Sequence, residues 1–300
     1  MKQYFKILLM SAFGILLSLA DKANSISTSG TSLTVPEFYT QNDGYFNKEF
    51  QVQNVGKIEL CLKGGGSINI EGWDKNLVSI EVYFKGPDAD NLEFEFSQDG
   101  NDVTIESYTK ERRTNNITVT TVDIKMPRLN CVDFTTFGGA VNIKNTEGEI
   151  EGITWGGDIE INQAMNGVDV KTKGGTIKIS KAVKFVKAET MGGNIDVEMV
   201  GGSDETNRDI FLKSQGGEIF LTVHEHFSMD AEVKIGFTKQ REGVVDIISD
   251  VAFERKMTDK WEKTHLGAVL KYLTGKTSVN GGINEVEIET VNENVYLKYR

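Results

Sequence analysis

The sequence predicts an all-β fold: a single elongated β-solenoid (β-helix), wound right-handedly, with 18 residues per regular turn. Three observations predict it. Thr-x-Gly-Gly recurs at Thr136, Thr154, Thr172 and Thr190, each 18 residues after the last. Apolar and polar residues alternate on both arms of each unit, which is strand periodicity, and helical spacing is absent. Gly numbers 31 and Pro only 3, so turns fall to Gly, Asn and Asp.

The units in register are TFGGAVNIKNTEGEIEGI (136–153), TWGGDIEINQAMNGVDVK (154–171) and TKGGTIKISKAVKFVKAE (172–189). A 24-residue unit, 190–213, follows, and SQGGEIFL begins the next at Ser214. Its six extra residues, around GGSDETN, read as a polar surface loop on a regular stack. On the first arm the apolar pairs are Val141 and Ile143, Ile159 and Ile161, Ile177 and Ile179, Ile195 and Val197, and Ile219 and Leu221. On the second they are Val168 and Val170, Val186 and Ala188, and Ile210 and Leu212. One strand cannot bury its apolar face alone. Stacking equivalent strands ~4.8 Å apart sets Ile over Ile in an inner column. Each Gly-Gly supplies a corner, where a side chain would clash or φ must be positive. Outward, Asp169 meets Lys187, and Lys171, Glu189 and Lys213 alternate in sign, which stabilises a ladder and hinders edge-to-edge aggregation. Units of 18 are too short for propeller blades of ~40 residues. Right-handed winding follows from the bias of parallel crossovers.

The N-terminus predicts export. Met1–Lys6 carries two lysines, Ile7–Ala20 is an apolar run of 14, and Ala23-Asn24-Ser25 offers small residues for cleavage. That is the plan of a signal peptide (1–25), and the run falls short of the ~20 residues that span a bilayer. Residues 26–45 read as a polar leader and 46–300 as the β-solenoid domain. With 44 carboxylates against 33 Lys plus Arg, the net charge of −11 disfavours nucleic acid. Cys61 and Cys131, the only cysteines, lie in strand-like runs, where they either pair or remain separate thiols. The stretch 236–274, with FERKMTDKWEKTHLGAVLKYL, departs from the pattern; it reads as a short amphipathic helix or a long hairpin, and its flanks favour strands.

GGGSINIEGWDKNLVSIEV (64–82), MPRLNCVDFTTFGGAVNI (126–143), the Gly-Gly-x-Ile units and SVNGGINEVEIETVNENVYLKY (278–299) resemble a bacterial family, the putative adhesins. The resemblance runs from Phe46 to Arg300. Gly-Trp-Asp at 72–74 and Asn-Gly-Gly at 280–282 are its more specific parts. It implies an exported β-solenoid and, through the family's name, adhesion.

Candidate sites follow from the repeat. Phe137, Trp155, Lys173 and Met191 share one position, where adjacent rings would form a platform for a sugar or a protein partner; the alternative is packing under a neighbouring layer. His224 and His226 are a possible metal pair with only His265 as a third histidine, and the competing reading is exposed surface histidines. Asp158, Glu160 and Asp196 would project from one outer face; they read as ladder charge before catalytic carboxylates. No catalytic residue and no cofactor is expected, since no nucleophile elbow, P-loop or dinucleotide fingerprint occurs and the Gly-Gly pairs precede strands.

The expected function is non-enzymatic binding or structural work in the cell envelope (periplasm, outer-membrane surface or secreted), with a glycan or an envelope protein as partner and no stable membrane insertion. The alternatives are a polysaccharide-active β-helix enzyme and an envelope-stress or assembly component.

Overall fold

The computed structural model describes residues 5–6, 43–53, 55–86, 89–109, 119–201, 207–264 and 267–300. The expected signal peptide and most of the leader lie outside them; Phe5–Lys6 is a two-residue strand paired antiparallel with Glu95 and Phe96. The chain is all β, with two long mixed sheets of 14 and 11 strands. Among the described residues there is no α-helix, only the 3-10 turns Ala89–Asn91 and Lys239–Arg241.

In the middle of the chain each unit gives one strand to each sheet. Val132, Ile150, Val168, Val186 and Ile210 are successive parallel partners in the larger sheet. Val141, Ile159, Ile177, Ile195 and Ile219 are successive partners in the smaller. All ten are buried, in one continuous apolar cluster fed by both sheets. Each such side chain is worth ~1.5–3 kcal/mol against exposure. Side-chain sizes compensate between rungs: Phe134 faces Gly152 on the next strand, where a Cβ would fall on the Phe134 ring.

The Thr-x-Gly-Gly corner has a specific wiring. The buried hydroxyls of Thr154, Thr172, Thr190, Ser214 and Thr290 donate to the carbonyls of Gly139, Gly157, Gly175, Gly193 and Gly217 in the preceding rung, at 2.7–3.2 Å. The first four also accept the N–H of the second Gly of their own pair, at 2.8–3.3 Å. Each corner is thus tied to the one beneath it, at ~0.5–1.5 kcal/mol net per bond. The second glycine is required by close approach: a Cβ at Gly157, Gly175, Gly193 or Gly217 would fall on the carbonyl of the corner below. Among the Gly-Gly pairs of these corners positive φ occurs only at Gly139, whose φ is 102°.

Outside, Lys187–Asp169 (2.8 Å) and Lys171–Glu189 (2.9 Å) pair as the repeat predicts. Lys213 reaches onward to Glu289 at 2.7 Å. These half-exposed pairs contribute little individually.

Both ends of the stack break sequence order. The segment 57–73 lies between 102–127 and 131–146 in both sheets. The segment 284–299 lies between 210–223 on one side and 229–249 on the other. Antiparallel strands then close the ends: Asp43–Gln51 on Leu77–Lys85, Leu92–Asp99 on Asp102–Thr109, and Met229–Phe237 on Val269–Val279. This makes the sheets mixed, while the smaller sheet finishes at its other end on Ile247–Ser249, paired parallel. Phe46, Phe84, Phe94 and Phe96 cluster at one end, with ring centres 5.3–6.3 Å apart.

The stretch 236–274 forms strands, including Glu254–Met257 and Val269–Val279, which pair antiparallel, so the hairpin alternative holds and the helix does not. Cys61 and Cys131 are both unpaired. In their shared ladder Cys61 faces Thr135 and Cys131 faces Lys57, a four-residue offset that a disulfide cannot bridge. Burial pushes the Cys61 thiol up, which favours its protonated form.

Candidate functional site

The smaller sheet carries a groove of about 750 Å³ on its outer face, where the order of strands is Asp43–Gln51, Leu77–Lys85, Val119–Pro127, Ser67–Trp73, Val141–Thr146 and Ile159–Ala164. Strand alternation sends the apolar half of these residues to the core and the polar half into the groove. Gly-Trp-Asp builds one end of it. Gly72 lets two backbones meet, because a Cβ there would fall on the Asn145 carbonyl. Trp73 donates its indole N–H to the Leu77 carbonyl at 2.8 Å, which fixes the ring across the turn. Asp74 accepts from Arg128 at 2.7 Å and anchors the turn to the neighbouring segment.

Most of the polar lining is already engaged. Asn142 donates to Asn69 (2.9 Å), and Asn69 donates to Asp123 (2.6 Å). Glu71 pairs with Lys144 at 3.4 Å. Glu81 accepts the Tyr83 hydroxyl at 2.6 Å; this bond first, and burial second, raises the Tyr83 pKa and keeps the phenol a donor. Two lysines differ. The Lys75 ammonium lies 4.6 Å from the centre of the Trp73 ring and that of Lys125 lies 6.0 Å from it. Neither has an ion-pair partner among the described residues. The arrangement offers an aromatic surface, amides and two cations without carboxylate partners, which is the equipment of a binding site.

The position shared by Phe137, Trp155, Lys173 and Met191 faces solvent: Phe137 is 46% exposed, Trp155 45% and Met191 53%. Phe137 and Trp155 lie on one another, with centres 4.5 Å apart and planes 31° from parallel. The Lys173 ammonium sits 3.5 Å from the Trp155 ring centre, on the following rung. Contacts between rungs therefore occupy the ring faces, and the ring edges meet water.

His224 and His226 fall in the turn after Ile219–Val223, not on a strand face. His224 Nδ1 accepts the His226 backbone N–H at 3.2 Å, and the rings are 5.2 Å apart. The turn is not the top of the stack either, because Val295–Tyr299 continues the ladder beside Ile219–Val223. No group of three potential ligands occurs among the described residues, and His265 lies outside them. Asp158 accepts the Thr176 backbone N–H at 2.7 Å, locking one corner to the next. Glu160 and Asp196 flank Lys178 in register, a column of alternating charge.

No protein-family model and no curated protein matches this chain. Among solved structures it is similar to a putative cell adhesion protein from Clostridium sporogenes, at 13% identity, covering 86% of this chain and 100% of that one, with a TM-score of 0.40. A putative adhesin from Bacteroides fragilis shares 14% identity over 86% of this chain and 97% of its own, at a TM-score of 0.41. A putative lipid binding protein from Parabacteroides distasonis shares 10% over 87% and 97%, at 0.24. No helix among the described residues is long and apolar enough to cross a membrane.

Proposed function

We propose that this chain is an exported, non-enzymatic binding protein of the cell envelope, an elongated right-handed β-solenoid that presents a glycan-binding groove on one outer face. The Trp73 groove carries the reading. Its volume lies within the ~300–1,000 Å³ of small-molecule sites, and its ring, amides and charges are those that stack on sugar rings and bond hydroxyls. Three of its five carboxylates, Asp123, Glu71 and Glu81, are held by Asn69, Lys144 and Tyr83, which favours a structural over an acid–base role for them. A glycan array probed with the chain from Ile26 onward tests this. Bound oligosaccharides are expected, and Trp73→Ala should weaken them by at least ~10-fold, or ~1.4 kcal/mol. Binding that ignores Trp73 would sink the groove.

The stacked, half-exposed Phe137 and Trp155 favour a second reading, a protein partner gripped at that corner. Exposed aromatics contribute little to folding and much to an interface. Replacing both by Ala should leave the melting temperature within a few degrees and abolish capture of an envelope protein in a pulldown. A large loss of stability would assign the rings to the core.

A further inference from the structure

We infer that the Trp73 end of the groove selects sugars carrying an anionic substituent, a carboxylate or a sulfate, so that the ligand is an acidic glycan. The inference rests on the groove being a glycan site.

Two ammonium groups, one from the turn at 74–76 and one from Val119–Pro127, lie within 6.0 Å of one ring centre, yet the chain as a whole is acidic, at −11. Several outer-face lysines are matched with carboxylates on a neighbouring strand, as in Lys187–Asp169, Lys171–Glu189 and Lys144–Glu71. Lys75 and Lys125 are not, and both lie on one ring. Parallel pairing sets Lys125 beside Glu71, but Lys144 takes Glu71, from the strand on the other side. Asp123, two residues from Lys125 on its own strand, is held by Asn69. Glu81 is held by Tyr83. Asp123 and Glu81 keep their charge under these neutral donors, but neither contacts the two ammonium groups.

The remaining acids of the lining, Glu49 and Glu160, lie three strands and two strands from Trp73's own. At ~4.8 Å per strand that is roughly 14 and 10 Å, at or beyond the ~8 Å screening length of physiological salt. The two ammonium groups nearest the Trp73 ring are thus left with no carboxylate in contact, although the lining as a whole carries five acids against three lysines. A sugar ring laid against the indole would bring a ring-borne anion near both ammonium groups, which lie 4.6 and 6.0 Å from the ring centre. Lysines act as point charges and not as planar forks, so carboxylate and sulfate are both accommodated. The Asn69–Asn142 ladder adds amide groups for hydroxyls.

The test compares hexagalacturonate, its fully methyl-esterified form, a sulfated galactan hexasaccharide and a neutral cello-hexaose, by calorimetry on the chain from Ile26 onward. One or both acidic probes should bind, and which one does identifies the anion. The methyl ester should be at least ~10-fold weaker than the free acid if the carboxylate is recognised. Binding should also weaken as salt rises. Lys75→Gln and Lys125→Gln, both at exposed positions, should each weaken the acidic probe while leaving the fold intact by circular dichroism. Equal binding of neutral and acidic probes, or indifference to both lysines, overturns the inference. If neutral sugars alone bind and Trp73→Ala abolishes it, the groove stands and the anion preference falls. Binding of none of the probes overturns the anion preference, and an array blank as well overturns the groove.

Discussion

Ending the chain at Ile283 should strip the whole 229–279 region of its protection, although that removes only residues 284–300. The lost segment is not a tail. Its strands Asn284–Val291 and Val295–Tyr299 fill the space between 210–223 and 229–249 in both sheets. Val286, Ile288, Val295 and Leu297 are all 0–1% exposed. At ~1.5–3 kcal/mol each, their burial comes to roughly 6–12 kcal/mol, the scale of a whole domain's ~5–15 kcal/mol. Charge ties the segment in as well. Burial pushes the Glu289 pKa up, but Lys213 at 2.7 Å and Lys234 at 3.4 Å outweigh it and hold the carboxyl below its usual range. Lys213 belongs to the strand on one side and Lys234 to the strand on the other. Without the segment, Met229–Phe237 loses its parallel partner and keeps only the hairpin with Val269–Val279, and such a ribbon is marginal alone. Hydrogen exchange should show rapid labelling over 229–279, with protection kept over 131–199. A truncated chain that melts cooperatively within a few degrees of the full one would overturn the interleaved order.

That interleaving is where sequence reading stopped. The inner register was legible because Val141, Ile159, Ile177 and Ile195 recur at 18 residues, a spacing that a single pass along the chain reveals. The end pairings join residues far apart in the chain, 45 for Ile58 with Val103, 73 for Asn142 with Asn69 and 78 for Tyr296 with Glu218, and no local periodicity marks them. Charge alternation in the middle was legible for the same reason. The Thr of each corner was visible but not its function, since a hydroxyl bonded to the rung beneath leaves no trace beyond its own recurrence.

The candidate site was legible only in part. Phe137 and Trp155 stood out because the repeat lines them up, though spacing alone could not give their tilted ring contact. Trp73 stood out only within Gly-Trp-Asp. Lys125 lies in another segment, and nothing between the two hints at their approach. Parallel pairing of Ser67–Trp73 with Val119–Pro127, which sets Trp73 beside Pro127, brings Lys125 to the ring. A site assembled across an interleaved end is invisible to motif reading, because its residues share an address in the sheet and not in the chain.

Replacing Ile177 by Ala should cost ~2–5 kcal/mol, the range for truncating a buried aliphatic side chain. Ile177 is 0% exposed, with Ile159 at 1% and Ile195 at 0% as its partners on either side in the ladder. A rung held from both sides cannot collapse to fill the space. The Thr172 and Thr190 hydroxyls fix the corners below and above it to Gly157 and Gly175, so neither neighbour can shift toward the gap. The cost should therefore fall in the upper part of the range. Lys178→Ala, on the exposed side of the same strand, should change stability by no more than ~0.5 kcal/mol. The difference between the two variants, read from urea midpoints at unchanged slope, isolates the inner column from the strand that carries it. A cost under ~1 kcal/mol for Ile177→Ala would mean that the column yields to fill the hole, and that the corners do not hold the rungs apart as the Thr–Gly bonds imply.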